Sequence, residues 1–236
     1  MQQKKVVVIG SGLGGLSTGV ILAKNGYEVT VLEQGQQIGG CLQCFSRYGA
    51  KYETGMHFIG SVVPGQTLRK LMNYLELTAD VPLSFLDQSG YDVVALQGEQ
   101  FRFANGREPF IETMSSYFPR QRDALARYFD LVSRVAGASS LHSLKYGESD
   151  AAINTEFQLR AINDVLDELF DDELLKRVLV GNLPLYAAEQ DKTPFSTHAF
   201  IMDFYNQSAA RVVGGSDSIA TSLKNTIFRY GGTVKT

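Results

Sequence analysis

The chain has 236 residues, 44% hydrophobic and 11% aromatic, enough apolar material for one large core or two modest ones. A net charge of −3 gives no basic surface that would indicate a nucleic-acid partner, and no apolar run reaches the roughly 18 residues that a membrane span needs. With only two cysteines, Cys41 and Cys44, no disulfide framework is implied, no metal set is singled out, and a cytoplasmic, soluble protein is the default.

The first element is expected at Lys4 to Ile9, a Val-rich run that reads as a buried parallel strand. Gly10, Gly12 and Gly15 then give G-x-G-x-x-G. The first glycine permits a tight turn, the second a close approach of backbone to a pyrophosphate, and the third close packing of helix on strand. A helix over Leu13 to Asn25 follows, with Leu16, Val20 and Ala23 at helical spacing and Gly26 as its stop. Glu28 to Glu33 is the second strand. Glu33 stands 23 residues after Gly10, placed to accept hydrogen bonds from ribose hydroxyls and to disfavour a 2′-phosphate. The ligand class is therefore a dinucleotide, held at a helix N-terminus.

A loop with Gly39-Gly40 comes next, and Lys51 to Ile59 alternates irregularly. Leu68, Leu71, Met72 and Leu75 predict an amphipathic helix. Short strands are expected at Ser84-Phe85-Leu86, Asp92 to Leu96 and Gln100 to Phe103, before a turn at Asn105-Gly106. The chain then turns helical. One helix is marked by Phe110, Ile111 and Met114 and ends before Pro119. A second is marked by Leu125, Tyr128, Val132 and Val135 and ends at Gly137. A third carries Ile162, Val165, Leu166 and Leu169, and a fourth Leu174, Leu175, Val178 and Leu179, capped by Asp171 or Asp172. The acids between Asp164 and Glu173 read as solvated helix faces and first-turn charges rather than a metal cluster. A further helix runs from Ser196 to Tyr205. After Gly214-Gly215-Ser216, a helix with Ile219, Leu223 and Ile227 leads to a strand at Thr233 to Thr236. A strand so short is expected to continue into a larger fold, so the chain reads as an incomplete piece of a longer protein.

The segment from Val29 through Glu33 to Gly39-Gly40 resembles the FAD-binding flavoprotein fold of amine oxidases, protoporphyrinogen oxidase and phytoene desaturases. The stretches Gly39 to Gly49 and Tyr52 to Gly60, with Gly55-Met56-His57, are similar to the retinol saturase and carotenoid isomerase branch of the phytoene desaturase family. Gly214-Gly215-Ser216 matches the turn by which that family returns to its FAD domain. Many relatives have Arg where this chain has Cys41, and Asp where it has Glu53.

That resemblance implies an α/β fold: a Rossmann-like FAD-binding domain, residues 1–80 and 206–236, interrupted by an α+β, largely helical substrate domain, 81–205. It implies FAD held by Gly10, Ser11, Gly12, Leu13, Gly14, Gly15, Glu33, Gln34, Gly39, Gly40, Cys41 and Val234. It implies an oxidoreductase acting on carbon–carbon bonds of an apolar polyene, with hydride exchange at the flavin N5. The implied partners are an apolar small molecule and a second electron carrier, and a peripheral membrane contact is compatible with such a substrate. His57 is the catalytic candidate, through a hydrogen bond to flavin or a proton near the substrate, against a hydrogen-bonded structural role. Arg47 either contacts flavin or phosphate or sits solvated in its loop. His142 and His198 read as structural, and the Phe and Tyr residues between 101 and 205 as core before tunnel lining. Three rival readings stand beside this one: a thiol–disulfide flavoenzyme using Cys41 and Cys44, an amine oxidase, and a truncated non-catalytic fragment.

Overall fold

The computed structural model describes residues 4–144 and 150–236. The chain divides into two units, residues 1–84 with 210–236 and residues 85–209.

β1 (Lys5–Ile9), α1 (Leu13–Lys24) and β2 (Glu28–Leu32) form the opening βαβ unit, with β1 and β2 parallel and Val6 opposite Val29. α1 closes at Gly26, whose φ of +83° suits a residue without a side chain. A hairpin follows, β3 (Cys44–Arg47) and β4 (Ala50–Glu53), then β5 (Ile59–Gly60), α2 (Thr67–Tyr74) and β6 (Leu83–Phe85). The irregular alternation expected around Lys51 is thus a strand pair. Its turn puts both Tyr48 (φ +52°) and Gly49 (φ +78°) in the left-handed region. That geometry suits a two-residue hairpin turn, but Tyr in its first place gives no warning of it.

The second unit begins with the antiparallel pair β7 (Asp92–Leu96) and β8 (Glu99–Phe103). Among the described residues seven α-helices follow: α3 (Arg107–Tyr117), α4 (Arg122–Gly137), α5 (Ser140–Ser143), α6 (Ala151–Gln158), α7 (Ile162–Leu169), α8 (Glu173–Leu179) and α9 (Phe195–Gln207). The chain returns through β9 (Ala209–Val212), α10 (Asp217–Arg229) and β10 (Thr233–Lys235). β9 lies between β5 and β6, and β10 adds to β2 in parallel, giving the order β1-β2-β10.

The first unit's core is built where α1 and α10 cover one face of that sheet. Leu16, Val20, Val31, Leu223 and Ile227 are fully buried there. The opposite face corrects the expectation of a buried β1. Val7 is 59% and Ile9 89% exposed, because β1 is an edge strand and no described element covers that side. The α2 stripe is likewise only partly used: Met72 and Leu75 are buried, Leu71 is not.

The second unit packs through aromatic rings. Phe103, Phe110, Tyr128 and Phe170 form a continuous buried series with centroids 5.7–6.4 Å apart. These residues fill the interior, as helical spacing suggests; Tyr146 lies outside the described residues. The acids of α7 and α8 are used locally. Asp172 accepts the Leu175 N–H as an N-cap, Asp167 and Glu173 pair with Lys176, and Glu168 pairs with Arg160.

Candidate functional site

The first glycine segment forms a cradle at the start of α1. Gly10 has φ +94° and donates its N–H to the Leu32 carbonyl at 2.7 Å, closing the turn out of β1. A Cβ on Gly15 would lie 2.0 Å from the Gly10 carbonyl oxygen, so only glycine lets the helix start this close to the strand. By contrast, Cβ atoms on Gly10, Gly12 or Gly14 would meet nothing within 4 Å. That open space lies at the mouth of the helix, where first-turn N–H groups have no intrahelical acceptor and no acidic side chain competes for them.

Glu33 sits beside this mouth. Its Oε2 accepts from the Ser11 hydroxyl at 2.6 Å and the Ser11 N–H at 2.9 Å, and its Oε1 from the Gly35 N–H at 2.8 Å. These bonds, the Ser11 hydroxyl foremost, hold the carboxyl down to a pKa of about 2. Its backbone N–H is fixed by the Lys235 carbonyl at 2.8 Å.

The second glycine pair is joined directly to the first. Gly12 and Gly39 form a parallel bridge, and the Gly39 N–H donates to the Ser11 carbonyl at 2.9 Å. A Cβ on Gly40 would stand 3.1 Å from the Gly12 Cα. Gly10 to Gly15, Glu33 and Gly39-Gly40 are therefore one constellation. Cys41, exposed, continues it and lies against Gly55, where an added Cβ would be 3.3 Å from the Cys41 Cβ. Gln34 is exposed beside Glu33, whereas the Val234 side chain, opposite Val31 in β10, packs against the core. His57 is exposed in the loop before β5.

Other candidates have different partners. Arg47 is an exposed residue lying over the Tyr48 ring. Cys44 is buried with its sulfur 3.5 Å from the Ser216 hydroxyl, so Gly214-Gly215-Ser216 meets the segment after Gly39-Gly40. Lys51 joins the same turn through the Gly214 carbonyl (2.8 Å) and Asp217 (2.6 Å), and Glu53 is held by Arg211 at 2.9 Å. Local sequence carries no signal for these pairs, which link residues more than 150 positions apart. His142 and His198 are not lone residues: His142 Nε2 is 2.6 Å from Asp203, and the His198 ring lies between the Tyr128 and Tyr186 hydroxyls at 2.8 and 3.0 Å.

Residues 8–75 match the family described as NAD(P)-binding Rossmann-like domain. Over 98% of its length the chain is 33% identical to the all-trans-retinol 13,14-reductase of Rattus norvegicus. Its homologues are retinol 13,14-reductases and carotenoid desaturases. Among them, the 4,4′-diapolycopen-4-al dehydrogenase of Metabacillus indicus is 22% identical over 96% of the chain. The chain spans 40% of the rat protein's length and 48% of the Metabacillus protein's. In fold it is similar to an oxidoreductase from Methanosarcina mazei, with a TM-score of 0.67 at 21% identity, covering 98% of this chain and 50% of that one. The Rossmann-like α/β fold is the expected one. No described helix is long and apolar enough to cross a membrane.

Proposed function

We propose that the chain forms the ADP-binding part of an FAD-dependent oxidoreductase that acts on carbon–carbon bonds of an apolar polyene. The observation that carries this reading is the 33% identity to an all-trans-retinol 13,14-reductase over 98% of the chain. The residues fit the group: a glycine cradle with open space, first-turn N–H groups without a side-chain cap, and an ionised acceptor beside them. When bound, the flavin supplies an N5 that exchanges hydride.

In this reading the Gly10–Gly15 backbone lets the pyrophosphate approach, and the amides of Gly14 and Gly15 in the first turn of α1 meet its charge. Glu33 receives the ribose hydroxyls and repels a 2′-phosphate. Gly39 and Gly40, with Cys41 and Gln34 at the rim, leave room for the rest of the cofactor. Val234 supports β2 from the neighbouring strand. His57 is the candidate for a hydrogen bond or proton near the reacting end. Residues 1–84 and 210–236 then serve as the cofactor unit and residues 85–209 as the substrate unit, with a second electron carrier resetting the flavin. A dithiol mechanism has less support, since the Cys44 thiol is buried against Ser216.

The test is to load the purified chain with FAD and, anaerobically, to offer all-trans-retinol to the reduced flavin and a carotene or putrescine to the oxidised flavin. Uptake of FAD is expected, with reoxidation by retinol or reduction by the carotene, and no reduction by putrescine. Reduction of the flavin by putrescine alone, or no flavin uptake, would overturn the reading. Cys44→Ser should leave polyene turnover unchanged.

A further inference from the structure

The clefts of the described surface differ sharply in chemistry. One carries Arg120, Arg127, Asp167 and Asp171; a second Lys51, Asp217 and Arg229; a third Glu173, Lys176 and Arg177. A fourth, of about 230 Å³, lies wholly within the second unit, and none of its ten lining residues is charged.

Helix packing makes this cleft apolar. Its floor is Val135 and Ala136 of α4 with Phe200 and Ile201 of α9, and Leu141 of α5 stands at its side. Val135 and Ala136 are buried, whereas Leu141 is 70% exposed. Two of the polar lining groups are engaged: the Asn154 amide donates to the Ala138 carbonyl at 2.9 Å, and the Ser139 hydroxyl accepts the Leu141 N–H at 3.3 Å. The Phe200 ring packs at right angles to the His142 ring, whose partner is Asp203.

Among the described residues such a lining has no counter-charge for an ion. Close-packed interiors leave few gaps larger than a water molecule, and an apolar cavity of ~150 Å³ already admits benzene. A volume of about 230 Å³ therefore suits a methylated six-membered ring or a branched hydrocarbon end, but not a whole long polyene. The exposed Leu141 gives the entrance an apolar lip.

We propose that this cleft is a subsite for the uncharged terminal ring or branched end of an isoprenoid polyene, with Leu141 at the mouth and Ala136 in the floor. The polyene as occupant rests on the oxidoreductase reading above; the preference for an uncharged hydrocarbon group rests on the lining itself.

Methyl-resolved NMR of the chain titrated with β-ionone tests it, with cyclohexanecarboxylate as the charged control. Saturable shifts of the Ala136, Val135 and Ile201 methyls are expected with β-ionone and not with the carboxylate. Ala136→Leu and Leu141→Asp should each weaken the β-ionone Kd at least fivefold, and Leu141→Asp, at an exposed position, keeps the test valid if the buried substitution does not fold. Shifts absent from these methyls, equal binding of the carboxylate, or a wild-type Kd in Leu141→Asp would overturn the proposal. Binding of β-ionone here supports the subsite whether or not the chain takes up FAD; FAD titration of the same sample judges the oxidoreductase reading separately.

Discussion

Glu33 meets three donors before any ligand arrives, two from Ser11 and one from Gly35. With its pKa held near 2, the carboxylate is an acceptor at every physiological pH. Glu33→Gln removes the charge and half of the acceptor capacity, so FAD affinity should fall about tenfold, the scale of one charge-assisted hydrogen bond. Flavin fluorescence titration measures this, and an unchanged Kd would refute the role. The glycines divide by a similar logic. Gly15→Ala forces a Cβ onto the Gly10 carbonyl and should cost roughly 2–4 kcal/mol in a urea melt. Gly14→Ala points into open space and should fold at least as stably, since Ala is the better helix residue. His198 supplies a pH dependence. Burial lowers its pKa from 6.5 to about 4 in the fold. The unfolded chain therefore binds this proton first as pH falls. Unfolding free energy should drop by roughly 3 kcal/mol between about pH 6.5 and pH 4 and lose nothing further from this group below that. Melts of wild type and His198→Asn across the window should show a slope steeper in the wild type by that amount, over the slope both share from their carboxylates.

At the scale of elements, strong periodicity and clear stops were readable. α4 shows both: Leu125, Tyr128, Val132 and Val135 all turn inward, and the helix ends at Gly137 as composition says it should. β7 begins at Asp92 and ends at Leu96 as expected, because a Gln97-Gly98 turn closes it into a hairpin. The hairpin of β3 and β4 escaped, since its strands have four residues each and its turn uses Tyr48. α6 escaped too; of its eight residues only Phe157 is buried, too few to set a period. In the candidate site, the glycines and Glu33 were legible because each answers a local backbone or charge requirement. Lys51 with Asp217 and Arg211 with Glu53 were not, because nothing local marks a pairing across the whole chain. A cap that was legible offers a quantitative check: Asp172→Ala should destabilise the second unit by about 1 kcal/mol, seen as a lower melting midpoint.

At the scale of the molecule, the exposed face of β1 matters most. Val7 and Ile9 on the edge strand β1, with Leu32, 40% exposed, opposite Ile9 on β2, form an apolar strip at the open edge of the sheet. Edges of that kind invite pairing with other chains. The chain in isolation should therefore self-associate as concentration rises, and Val7→Lys should suppress this in light scattering without lowering the melting midpoint. Equal association of variant and wild type would remove the edge as the cause.

The parallel pairing of β10 with β2 also orders events in time. Glu33 has its backbone tied to Lys235, some two hundred positions later. α1 cannot bury Val20 until Ile227 and Leu223 arrive on α10. The second unit is contiguous in sequence and needs no such wait. On a ribosome the glycine cradle, although begun before the second unit, is completed after it, and pulsed hydrogen exchange should find the amides of α4 and α9 protected before those of β1 and α1.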